Sequence, residues 1–198
     1  MRLRLLSRRC QTGVRRIRAE DRGSQIVEFA LSAPLLVLFV VGIFDFSGAL
    51  ALKHKLANAA REGARVAAAD PANDLSNTST VPVSVSDAYQ VVDNYLLSEK
   101  LNDCGLQGTS PTGAALTWTS PTLTGCQNGT GLVLTINRGC VTLQGVDLTE
   151  NPVTVGLVGT CVTVVYPYVW QFTSAAGLFS SFIGPTNITT TAVAFNQN

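Results

Sequence analysis

The sequence predicts an α+β protein: a long N-terminal helix, transmembrane then amphipathic, followed by a small domain with one helix and an antiparallel β-sheet. Three observations carry this. A charge-free apolar run, FALSAPLLVLFVVGIF at 29–44, follows an arginine-rich head. A proline-free, alanine-rich stretch, KHKLANAAREGARVAAA at 53–69, continues it. From 104 onward the texture turns to Thr, Val and Gly, which suits strands and tight turns.

The apolar run spans roughly 24 Å as a helix, a little short of a hydrocarbon core of about 30 Å. It resumes after Asp45 as FSGALAL, so 26–52 crosses comfortably if Glu28 and Asp45 are accommodated. An acid inside a membrane helix costs a few kcal/mol and normally has a partner. Asp45 marks the helix exit at the outer interface or a polar contact with a partner helix. Asp70-Pro71 ends the helix, because the residue before proline avoids helical angles.

Composition agrees. Apolar residues make up 46% of the 198 residues and charged ones 14%, against about a quarter in soluble domains. The net charge of +1 conceals an uneven distribution. Residues 1–22 hold eight arginines and only two acids, Glu20 and Asp21, while the remainder holds six basic and eleven acidic groups. By the positive-inside rule the N-terminus is cytoplasmic and the C-terminal domain extracytoplasmic. An apolar helix directly after the arginines makes them a membrane flank, so nucleic acid is not an expected partner.

Small residues at Ala60, Gly63, Ala64 and Ala67 form one smooth stripe for close helix contact. The stripe packs on the chain's own outer domain, on neighbouring subunits, or on both along different faces. Arg61, Glu62 and Arg65 share an exposed band, where Glu62 pairs with Arg65 at i, i+3. They form a solvated face or a subunit contact. A linker rich in Pro, Asn, Ser and Thr follows, and Ser86 caps an amphipathic helix with Ala88, Val91, Val92, Tyr95 and Leu96 on one face. Strands are expected at 113–119, 130–137, 139–143, 153–158, 160–169 and 188–195, with a short helix or apolar loop at 172–183. The resulting divisions are a basic leader at 1–23, a membrane helix at 24–52, its extracytoplasmic continuation at 53–70, a linker at 71–85 and the α+β domain at 86–198.

Cys104, Cys126, Cys140 and Cys161 follow an export-type segment, which suggests two disulfides in an oxidising compartment. Three pairings are open; the sequential one closes two loops, each worth about 3 kcal/mol in the chain-entropy account. Cys10 lies in the leader. His54 is the only histidine, in a Lys-His-Lys run, and metal-ligand spacing, a P-loop and G-x-S-x-G are all missing. Neither cofactor, metal nor catalysis is expected. The acids Asp87, Asp93, Glu99, Asp103, Asp147 and Glu150 are expected on exposed surfaces.

The junction Arg22-Gly23-Ser24-Gln25-Ile26-Val27-Glu28-Phe29 ends a basic head at a glycine and places a carboxylate five residues further on, before an apolar helix containing Pro34. This resembles the processing site of type IV prepilins. The wider pattern, GSQIVEFALSAPLL at 23–36, then Asp45, then AAREGAR at 59–65, is similar to TadE-type minor pilins of the tight-adherence pilus system, with a weaker echo in VTVVYPYVW at 162–170. The resemblance implies cleavage after Gly23 by a prepilin peptidase, a new ammonium on Ser24, and partners among other pilins, assembly-platform proteins and the bilayer of the bacterial inner membrane. It also implies a role in pilus assembly for adhesion, secretion or surface attachment. Glu28, one helical turn from Ser24, pairs with a Ser24 ammonium to set subunit register, or simply reaches the headgroups. Two rivals stand beside this: a secreted binding or adhesion module cut at Ala49-Leu50-Ala51 to begin at Leu52, and a signal-anchored protein that is never cut.

Overall fold

A computed structural model describes residues 21–71, 75, 80–114, 116–126, 131–146, 153–170 and 186–196. The chain divides into two compact units, Met1–Gly42 and Ile43–Asn198. The first helix, α1, runs Asp21–Ala69 with Pro34 inside it, starting slightly before the expected Ser24. Ile26, Phe29, Leu31 and Phe39 are 62–76% exposed. A water-soluble protein would bury such a run, since each large apolar side chain gains about 1.5–3 kcal/mol on leaving water. The most apolar window within Gln25–Ala69 has a mean hydropathy of 2.4, and none of it is covered by protein. α1 is therefore a candidate membrane span.

The second helix, α2, runs Val83–Ser98. Its N-cap is Pro82 at φ −60° and ψ 148°, with no side-chain cap hydrogen bond, so the expected start at Ser86 is corrected. Proline's fixed φ suits helix entry, and its carbonyl accepts from the Val85 and Ser86 amides at 3.1 and 3.0 Å. Starting earlier lets Val85 join Ala88, Tyr89, Val92 and Leu96 on the buried face, while Val91 and Tyr95 are half-buried. Leu75 and Val81, inside the expected linker, pack against the core.

Five strands form one antiparallel sheet in chain order: β1 (Thr112–Ala114), β2 (Thr117–Thr119), β3 (Val133–Val146), β4 (Val153–Tyr168) and β5 (Thr186–Phe195). The expected strand 113–119 is instead a tight hairpin, with Gly113 opposite Trp118. The pairs 130–137 with 139–143, and 153–158 with 160–169, are each one long strand. The expected break at Arg138 falls instead in an irregularity between Asn137 and Cys140, the way a bulge absorbs an extra residue without ending a ladder. Residues 172–183, Asp147, Glu150 and residues 1–20 of the leader, Cys10 among them, lie outside the described residues.

The core lies between the C-terminal half of α1, α2 and the sheet: Leu56, Ala59, Ala60, Ala64 and Ala67 share one cluster with Val85, Val92, Leu134, Ile136, Val162 and Val164. The cysteines meet sequentially at disulfide distance, Cys104 with Cys126 (Cα–Cα 4.5 Å) and Cys140 with Cys161 (5.9 Å).

Candidate functional site

The candidate site is a surface distributed along α1. In the first unit Gly23 and Glu28 are exposed, and a Cβ at Gly23 would meet nothing within 4 Å. Ser32 Oγ turns back to the Phe29 carbonyl at 3.2 Å, satisfying its hydroxyl inside the apolar stretch. Pro34 follows, exposed, so the backbone irregularity it brings faces away from protein.

In the second unit the small-residue stripe meets the chain's own domain. Ala60, Ala64 and Ala67 are fully buried. A Cβ on Gly63 would lie 2.6 Å from Val92 Cγ2, 3.5 Å from the Ala88 carbonyl and 3.7 Å from Val162 Cγ1. The alanine-glycine element thus lets α1 approach both α2 and β4. On the opposite side, Arg65 Nε donates to Glu62 Oε2 at 3.1 Å, and Arg61 reaches Asn58 Oδ1 at 3.3 Å. The Arg65 hydrogen bond lowers the Glu62 carboxyl from its usual range, and Glu62 in turn raises the Arg65 guanidinium. Lys55 and Glu99 tie α1 to the end of α2 at 3.1 Å.

Asp45 is buried rather than merely at a helix exit, and its backbone carbonyl accepts from Tyr168 Oη at 3.1 Å. A Cβ on Gly48 would sit 3.0 Å from the same hydroxyl. Tyr166 Oη donates to the Asn102 carbonyl at 2.9 Å; burial raises that phenol above its ordinary range, with the hydrogen bond opposing.

Two buried polar residues escaped the sequence. Arg138, the sole cation after Lys100, is 1% exposed. Asp93, expected on the surface, is 7% exposed on the core side of α2, and its Oδ1 has no hydrogen-bond partner among the described residues. Burial raises the Asp93 carboxyl, and the facing Asp103 carboxylate adds to the shift. Asp103 itself accepts the Gly105 and Gln107 amides at 3.3 and 3.2 Å.

The sign follows directly. A carboxyl raised on folding binds more protons folded than unfolded, so Asp93 costs stability above its folded pKa. That cost fades as pH falls towards the unfolded value near 3.9. We expect Asp93→Asn, whose amide can donate to Asp103, to stabilise the chain by about 1 kcal/mol at pH 7, with the gain vanishing near pH 4. Thermal unfolding in detergent across that range checks it; an equal gain at both pH values contradicts the assignment.

A cleft of about 360 Å³ opens between Leu52, Lys100, Leu101, Tyr166, Pro167 and Val169. Among the described residues no three of His, Cys, Asp or Glu stand together as a metal-ligand group.

An exposed apolar helix whose C-terminal half is the spine of a small α+β domain points to membrane anchoring. The family model described as TadE-like protein matches residues 23–65, the stretch from the junction glycine through the alanine-glycine element, and over that stretch the chain is similar to TadE-like proteins. No curated protein and no solved structure matches it.

Proposed function

We propose that the chain is a minor pilin or pseudopilin taking part in assembly of a Tad-type pilus. It sits in the bacterial inner membrane with its N-terminus cytoplasmic and the α+β domain outside. A prepilin peptidase cuts between Gly23 and Ser24, and the new ammonium pairs with Glu28 of the same or an adjacent subunit. The reading assigns the chain no catalytic role and no cofactor. Its partners are other pilins and the assembly platform.

One observation carries it. An exposed apolar helix holds a carboxylate, Glu28, five residues past a glycine, inside the segment that matches the TadE-like family model. The contact of Asp45 and Gly48 with Tyr168 supports this over secretion of a soluble module. Cleavage after Ala51 would discard residues on which the domain packs.

N-terminal sequencing of the membrane-extracted product tests the cut: Ser24 supports the reading, Leu52 or Met1 contradicts it. Glu28→Gln removes a charge pair worth about 2 kcal/mol in lipid, so incorporation into pili falls roughly tenfold or more. Normal pili carrying normal amounts of the variant would defeat the register role.

A further inference from the structure

We propose that the end of the sheet marked by Tyr168 and Trp170 docks into the headgroup layer of the bilayer that carries α1, so the outer domain lies on the membrane rather than above it. The proposal rests on reading α1 as a membrane helix, and goes beyond it by assigning a second lipid-contacting surface.

The geometry lies wholly within the second unit. Tyr168 Oη donates to the Asp45 carbonyl at 3.1 Å and touches Gly48, which pins the end of β4 to one level of the helix. At that level Ile43, Phe44 and Phe46 are 69%, 66% and 59% exposed. A rise of about 1.5 Å per residue puts all three within one turn of Asp45. The sheet edge therefore stands where the helix is still dressed for lipid. Trp170 packs edge-on against Tyr168, with ring centroids 5.2 Å apart, and donates its indole N–H to Thr186 Oγ1 at 3.1 Å. An aromatic body with a polar tip is the side-chain type that settles at the membrane–water interface.

Charge points the same way. From Asn151 to Asn198 the sequence holds no charged side chain, so β4 and β5 bring no charge to this edge. The next charges along the helix are Lys53 and Lys55, two to three turns beyond Asp45, where a lysine stem can reach lipid phosphates. A partner protein covering the same edge is the competing occupant. The favoured one is lipid, because the edge is continuous with exposed Ile43, Phe44 and Phe46.

The test places the full chain in phosphatidylcholine vesicles, with and without bromine on the acyl carbons nearest the headgroups. The protein has two tryptophans, and Trp118 is buried in β2. Docking predicts that brominated lipid quenches a large share of the emission of the native chain, and that Trp170→Phe loses the quenchable share while Trp118 keeps its own. A chain that floats with the vesicles yet is quenched by neither lipid overturns the docking and leaves α1 as a membrane helix. Quenching that persists in Trp170→Phe overturns it as well. A chain that does not float at all overturns the reading of α1, and this proposal with it.

Discussion

Arg138→Ala is expected to destabilise the C-terminal domain by about 3–5 kcal/mol, from the loss of two hydrogen bonds to a charged group and the cavity left behind. That is a large part of the 5–15 kcal/mol that holds a typical domain together. Arg138 Nη1 donates to Thr160 Oγ1 at 3.3 Å, and Nη2 donates to the Asp70 carbonyl at 3.1 Å, just past the end of α1. The Thr160 hydroxyl then donates to Asn196 Oδ1 at 2.7 Å, and Asn196 Nδ2 donates back to the Arg138 carbonyl at 3.2 Å. One guanidinium therefore fastens β3, β4, the C-terminal segment and the end of the long helix. A cation beside the last carbonyls of a helix also answers its negative pole. Alanine leaves the Asp70 carbonyl and the Thr160 hydroxyl short of a partner and opens a void in a fully buried place. Arg138→Met fills the void but not the hydrogen bonds, and should lose about half as much. Urea unfolding of the full chain in detergent ranks the two. Equal losses would show that volume alone matters, and no loss in either would remove the network from the account.

The same residue shows why sequence carries only part of the fold. The helices were legible because their signals are local: an uncharged run, an alanine-rich continuation, and Asp70-Pro71 as a stop. The small-residue stripe was legible as a packing surface, though not its partner, because Val92 and Val162 are far away in sequence. The start of α2 was misplaced because Ser86 offers a side-chain cap, whereas Pro82 enters with its preset backbone. That shift in phase also hid Asp93, which falls on the buried face only when Val85 is counted into the helix. Strand breaks were expected at Arg138 and Gly159, but cross-strand pairing carries β3 and β4 past both. Arg138 left one faint trace, a lone cation in a long region without others. Its partners, Asp70 and Thr160, belong to elements that only the folded chain brings together. Glu28 is the reverse case: it stands exposed on the helix, and its reading comes from the glycine five residues before it and the apolar run after it, all local in sequence.

Gly63→Leu is the second large effect, and the small variant Gly63→Ala isolates its cause. Two terms oppose each other in the alanine variant. Replacing glycine inside a helix gains about 1 kcal/mol in backbone propensity. The new Cβ, however, lands 2.6 Å from Val92 Cγ2 with the Ala88 carbonyl 3.5 Å away. A β-branched side chain on a helix has essentially one rotamer and cannot swing aside, so α1 and α2 must separate, at about 1–3 kcal/mol for overpacking. The clash wins, leaving Gly63→Ala destabilised by about 1 kcal/mol. Leucine adds three more carbons with nowhere to go between α2 and β4, and should cost about 4 kcal/mol or more, enough to lose the domain's packing. Val92→Ala alone creates a cavity and destabilises. Combined with Gly63→Ala it should recover stability relative to the sum of the singles, because each change makes room for the other. A double-mutant cycle on unfolding free energies measures that coupling. A favourable term of about 1 kcal/mol or more ties the glycine to this helix contact. An additive cycle would free Gly63 from it and return the alanine-glycine element to the neighbouring-subunit role.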